Sequence, residues 1–111
     1  MNPMRTLLLI AAIGTLLSAR AQDKKIAQLD IRTSSVCDMC EQTIESNLIY
    51  EKGVKKVDLD LSTNVIHVEY DPRKTSPEAI RVAVTELGYY ADDLPGDPKA
   101  FAELPACCQK E

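Results

Sequence analysis

Two runs of strictly alternating residues, separated by a short polar turn, limit this chain most. From Val54 to Leu61, Val57, Leu59 and Leu61 point one way while Lys56, Asp58 and Asp60 point the other. After Ser62-Thr63-Asn64 the pattern resumes, with Ile66, Val68 and Tyr70 on one side. A period of two over six to eight residues is the mark of a half-buried strand, and a short turn between two such runs makes a hairpin. A hairpin with one apolar face needs a partner layer, and the flanking segments supply it.

Upstream, Ile26 to Thr33 has β character, with Leu29 and Ile31 on one face and Asp30 and Arg32 on the other. Residues 38–51 then place Ile44 and Leu48 four apart, with Cys40 one turn earlier and Glu41, Glu45 and Glu51 outside. That spacing predicts an amphipathic helix ending before Gly53. Downstream, Asp71 to Thr75 is a loop. Ser76-Pro77-Glu78 combines an N-cap, a proline at the first helical position and an acid in the first turn. Ile80, Ala83, Val84 and Leu87 form the buried stripe of this second helix, and Gly88 ends it. Tyr89-Tyr90-Ala91 starts a last short strand. The expected order is β-α-β-β-α-β, the α+β ferredoxin-like arrangement, with an antiparallel sheet and both helices on one face.

The ends read differently. Arg5 and the apolar run from Leu7 to Leu17, followed by Ala19-Arg20-Ala21, form a signal-peptide pattern with cleavage expected after Ala21. The apolar run is shorter than the roughly 20 residues that a spanning helix needs. A periplasmic or secreted protein is therefore expected, with no membrane insertion after cleavage. The expected division is residues 1–21 as signal peptide, 22–94 as the domain and 95–111 as a tail. The segment from Asp92 to Pro98 reads as a linker. The chain has 13 basic and 17 acidic residues, and loss of Arg5 and Arg20 leaves 11 against 17, near −6. That balance argues against nucleic acid as a partner.

Cys37-Asp38-Met39-Cys40 falls where the first strand ends and the first helix starts. Two thiols three residues apart at a helix N-terminus can turn toward one soft metal ion, and the positive end of the helix dipole favours the thiolates that bind it. The other use of such a pair is a thiol–disulfide cycle. Cys107-Cys108 in the tail is open to three readings: a second soft-metal site, a ligand reaching back to the main loop, or a tail disulfide. A Cys37–Cys40 or Cys107–Cys108 bond would constrain little of the unfolded chain, so both pairs suggest chemistry rather than architecture. The single histidine, His67, falls between inward Ile66 and Val68 and belongs on the open sheet face. No serine–histidine pairing, phosphate-cradling glycine loop or open three-ligand zinc site points to an enzyme.

The strand, the Cys-x-x-Cys at a helix start, Lys52-Gly53-Val54-Lys55-Lys56-Val57, Val65 through Pro72 with its Tyr-Asp-Pro, and Leu87-Gly88-Tyr89 together resemble the heavy-metal-associated domain. That is the domain of copper chaperones, of metal-pumping P-type ATPases and of periplasmic mercury-binding proteins. The resemblance covers about residues 25–94. It implies that Cys37 and Cys40 bind one soft ion, Cu(I) or Hg(II) first and Zn(II) second. It further implies a monomer that passes the ion to a thiol-bearing transporter or acceptor domain. It gives Tyr89 the place of the aromatic residue that lies beneath the metal loop. The family's Gly-Met-Thr-Cys stands here as Ser34-Ser35-Val36-Cys37, with Ser35 at the position of the buried methionine. Asp38 could add a hard oxygen suited to Zn(II) and Met39 a soft thioether suited to Cu(I), or both could serve only the helix dipole and loop packing.

Overall fold

The computed structural model describes residues 26–34 and 37–109. The signal-peptide segment and the Ser35-Val36 departure lie outside the described residues. The elements are β1 (Ala27–Arg32), α1 (Asp38–Leu48), β2 (Val54–Asp60), β3 (Val65–Tyr70), α2 (Pro77–Glu86), α3 (Pro98–Ala102) and a final 3-10 turn (Ala106–Cys108). The three strands form an antiparallel sheet in the order β1-β3-β2.

The register explains the alternation. Ile31 pairs with Ile66, and Leu59 meets Ile66 from the other side; Leu29 and Val57 flank Val68 in the same way. These rows face the stripes of the two helices, Cys40, Ile44 and Leu48 from α1 and Ile80, Ala83 and Val84 from α2, in one buried cluster. The opposite sheet face carries exposed Asp30, His67 and Asp58 in a row. His67 is where the sequence places it, with its Nδ1 2.8 Å from the Asp30 carboxylate.

Local chemistry sets the boundaries. Asp60 turns the hairpin: its carboxylate accepts from the Ser62 N–H at 2.9 Å and the Ser62 hydroxyl at 2.6 Å, and Asn64 takes a left-handed φ of 60°. The Ser76 hydroxyl accepts from the Ala79 N–H at 3.2 Å, and Pro77 follows at N1. Glu45 reaches from α1 to accept the Leu59 N–H at 2.8 Å, tying the helix to the β2 edge.

The expected fourth strand does not form. The chain follows β1's outer edge only briefly: the Tyr90 N–H donates to the Ser34 hydroxyl at 3.1 Å and the Asp92 N–H to the Arg32 carbonyl at 2.8 Å. Asp92 then enters the left-handed region at φ 55°, and Ala91 and Leu94 bridge back on each other. The Asp92 carboxylate accepts the Arg32 N–H at 3.0 Å, so a side chain replaces the backbone acceptor of a longer strand. Its other oxygen takes Arg81 Nε at 2.8 Å.

The segment from Asp92 to Pro98 is also not a free linker. The Asp97 N–H donates to the Thr85 carbonyl at 2.8 Å, and the Asp97 carboxylate caps α3 through the Ala100 N–H at 2.9 Å. Gly88, at φ 104°, lies so close under α3 that a Cβ there would stand 2.9 Å from the Ala100 carbonyl carbon and the Phe101 nitrogen. The tail is therefore packed onto the end of α2, which aims its last turn back at α1.

Candidate metal centre

Cys37 is the N-cap of α1, in extended backbone with φ −148° and ψ 169°. Its carbonyl takes the first helical bonds, from the Cys40 N–H at 3.0 Å and the Glu41 N–H at 3.2 Å. One helical turn therefore separates the two cysteines, and their sulfurs stand 3.4 Å apart. Cys37 is half-buried, whereas Cys40 is fully buried beneath it.

The tail brings in a third sulfur. The Gln109 amide ties the turn down by donating to the carbonyls of Ala102 at 3.0 Å and Leu104 at 2.8 Å. The Cys108 N–H donates to Pro105 O at 2.8 Å. Cys108 is fully buried and disulfide-bonded to Cys40, with α-carbons 5.9 Å apart. Cys37 Sγ lies 3.6 Å from Cys108 Sγ. The sulfurs of Cys37, Cys40 and Cys108 all lie within 4.8 Å of one another. This cross-pairing replaces the two local pairs weighed from sequence. It spans 68 residues and is an architectural link as well as a chemical one. The return of the tail to the main loop was one of three readings of the sequence; which cysteine returns was not legible, because adjacent Cys107 and Cys108 are distinguished only by which one the 3-10 turn points inward.

Cys37 and Cys107 remain as free thiols. The Cys37 pKa is lowered, first by proton donation from the Cys107 side chain and then by the Cys40 and Met39 N–H groups at the helix start, against partial desolvation and the Asp38 charge. The Cys107 pKa is raised for the reciprocal reason, its proton being held by Cys37. Asp38 and Met39 are both exposed on the first turn of α1, and the Asp38 carboxylate lies outside the sulfur group. Glu41's pKa is raised, by partial desolvation and then by the charges of Glu45, Asp58 and Asp38. Asp38 and Glu41 are the acids of the first turn of α1.

Tyr89 is fully buried against this cluster. Its hydroxyl has no hydrogen-bond partner among the described residues. Burial raises its pKa. A polar approach by Thr43, outside hydrogen-bond geometry, opposes this, and the charges of Cys37 and Cys107 reinforce it. Tyr89 is thus within electrostatic reach of both free thiols.

A Cys-x-x-Cys pair at a helix start, on one end of a helix-covered antiparallel sheet, defines a class of small thiolate metal-binding domains. The chain belongs to the heavy-metal-associated domain family, whose model matches residues 35–90. It is 40% identical over 63 residues to copper-transporting ATPase 1 of Rattus norvegicus, a match covering 57% of this chain and 4% of that protein. It is 36% identical over 53 residues to the copper chaperone CopZ of Staphylococcus haemolyticus, covering 48% of this chain and 78% of the chaperone. The chain thus spans only a small fraction of the ATPases it matches and most of the chaperone. Among solved structures, a CopZ metallochaperone superposes with TM-score 0.56 at 26% identity, over 59% of this chain and 98% of that one. Oxidised MerP from Ralstonia metallidurans CH34 superposes with TM-score 0.51 at 28% identity, over 60% and 96%.

Proposed function

We propose that this protein captures one soft, thiophilic ion between Cys37 and Cys40 and passes it to a thiol-bearing acceptor by ligand exchange. The observation that carries the reading is the 3.4 Å approach of the two sulfurs at the start of α1, one buried and one half-exposed. Cys40 would anchor the ion while Cys37 offers the open side to an incoming thiol. Low-coordinate binding lets the acceptor add its sulfur before the donor loses one, so no free ion is released. Cu(I) and Hg(II) suit two thiolates best, with Zn(II) next. The kinship with a copper chaperone and with domains of copper-transporting ATPases supports copper as cargo and a transporter domain as acceptor; the likeness to MerP supports Hg(II). Asp38 and Glu41 beside the cysteines, in the first turn of α1, suit an acceptor with a basic face. The role is binding and delivery rather than catalysis, and the site of action is the periplasm or the exterior, following the leader pattern before Gln22.

The test is anaerobic titration of the reduced protein with Cu(I) and Hg(II), beside Cys37→Ser and the Cys37→Ser/Cys40→Ser double variant. One equivalent should bind tightly to the wild type and far more weakly to the variants. Equal affinity in the double variant would end the proposal. A second reading, a thiol–disulfide protein, is favoured by the Cys40–Cys108 bond with free Cys37 beside it. Under that reading the protein would reduce insulin disulfides catalytically in the presence of a dithiol.

A further inference from the structure

We infer that Cys108 is a third ligand to the cargo ion, and that the Cys40–Cys108 disulfide is the closed, non-binding form of a three-thiolate site. The inference rests on the metal-binding reading of Cys37 and Cys40 above and adds the tail to it.

The geometry is that of a triangle with one edge shut. A soft ion with metal–sulfur bonds of about 2.3 Å in a trigonal plane sets its sulfurs about 4.0 Å apart. Cys37 Sγ already lies 3.4 Å from Cys40 Sγ and 3.6 Å from Cys108 Sγ. Two edges need open by only a few tenths of an ångström. The third edge is the disulfide, and α-carbons 5.9 Å apart leave room for two separate sulfurs once it is reduced.

The surroundings keep Cys108 in place without the bond. The Gln109 amide and the Cys108 N–H hold the 3-10 turn, and α3 rests on Gly88. A third thiol held this close raises the effective ligand concentration at the ion and slows its loss. Cys107, one residue away, faces solvent and lies outside the sulfur group.

The chemistry balances in two steps. A small dithiol or a dithiol protein reduces the Cys40–Cys108 bond: its two sulfurs join in a new disulfide and its two protons pass to Cys40 and Cys108. The ion then displaces three protons, from Cys37, Cys40 and Cys108, as three metal–thiolate bonds form. In the oxidised form two of the three ligands are consumed in the S–S bond, and Cys37 alone cannot retain the ion. Reduction therefore licenses capture.

The test uses the full chain, reduced with a dithiol that is then removed anaerobically. It is loaded with one equivalent of Hg(II) and, separately, Cu(I). Alkylation followed by peptide mass mapping reads which cysteines the ion protects, and X-ray absorption reads the sulfur coordination number. The expected result is protection of Cys37, Cys40 and Cys108, alkylation of Cys107, and three sulfurs per ion. Cys108→Ser should give two sulfurs and ion transfer to a competing thiol chelator on the order of 10²-fold faster; Cys107→Ser should keep three sulfurs per ion. The protection map needs no variant, so it stands even if Cys108→Ser folds poorly. Alkylation of Cys108 with Cys37 and Cys40 protected would overturn the inference and leave the two-cysteine reading intact. Protection of Cys107 with the other three would overturn the three-ligand set. Protection of none would end both readings. Unreduced protein should lose the ion on gel filtration, and retention there at wild-type stoichiometry would refute the closed form.

Discussion

Reducing the Cys40–Cys108 bond, with the protein kept free of metal by a chelator, should destabilise the fold far more than a local cysteine bond could explain. The bond joins residues 68 apart. In the chain-entropy model, closing a loop of that length lowers the entropy of the unfolded chain by about 14.7 cal/mol/K, or about 4.4 kcal/mol at 25 °C. A Cys37–Cys40 bond, closing four residues, gives about 1.9 kcal/mol by the same relation. Unfolding entropy of roughly 2.1 cal/mol/K per residue over the 84 residues from Ile26 to Gln109 converts these to Tm losses of roughly 25 °C and 10 °C. Differential scanning calorimetry of oxidised and reduced protein at equal concentration and pH reads the difference. Peptide mapping under non-reducing conditions identifies the linked pair. A Tm loss below about 5 °C, or the absence of a Cys40–Cys108 peptide from the oxidised protein, would refute the reasoning.

Other predictions follow from single residues. Tyr89→Phe removes a buried hydroxyl with no hydrogen-bond partner among the described residues and should leave urea stability unchanged or raise it by up to about 1 kcal/mol, whereas Tyr89→Ala should cost about 3–5 kcal/mol by opening a cavity. Ile66→Ala, at the centre of the sheet's buried face, should cost about 2–5 kcal/mol in the same assay. Asp92→Ala loses the bonds to Arg32 and Arg81 and should cost about 1–3 kcal/mol, with faster amide exchange at Arg32. Asp71 has a lowered pKa, chiefly because the Arg73 side chain and then the Arg73 N–H bond its carboxylate. Its contribution is therefore present above the ordinary carboxylate range and is lost as pH falls through the folded value. Asp71→Asn should destabilise at pH 7 and converge with the wild type in acid, and a pH-independent difference would contradict this.

The central part of the fold was legible because its signals are periodic. Val57, Leu59, Ile66 and Val68 could be assigned faces from alternation alone, and Ser76-Pro77 and Gly88 bracketed α2 by capping chemistry. The Cys37–Cys40 approach followed from their one-turn spacing at a helix start. The last strand was misjudged because Tyr89-Tyr90-Ala91 has β propensity, while the outcome was decided by Asp92, whose left-handed backbone and side-chain bonds end the pairing at once. The docking of the tail was left open for a different reason. Its position depends on the close packing of Gly88 under α3 and on one glutamine amide, and neither has a pattern along the chain. Burial of Cys108 over Cys107 is a matter of a single turn's rotation.

The Asp92 side chain has a further consequence, for how copies of this protein meet one another. An exposed sheet edge is a template for strand addition by a second copy. At the end of β1 beside the thiol cluster, the outward N–H and C=O of Arg32 are both occupied, by the Asp92 carboxylate and the Asp92 N–H. On the far edge, Glu45 occupies the Leu59 N–H. A neighbouring strand would have to displace a hydrogen bond to a carboxylate to pair at either of these positions. A single aspartate thus closes the end of the β1 edge, where a fourth strand would otherwise begin to pair.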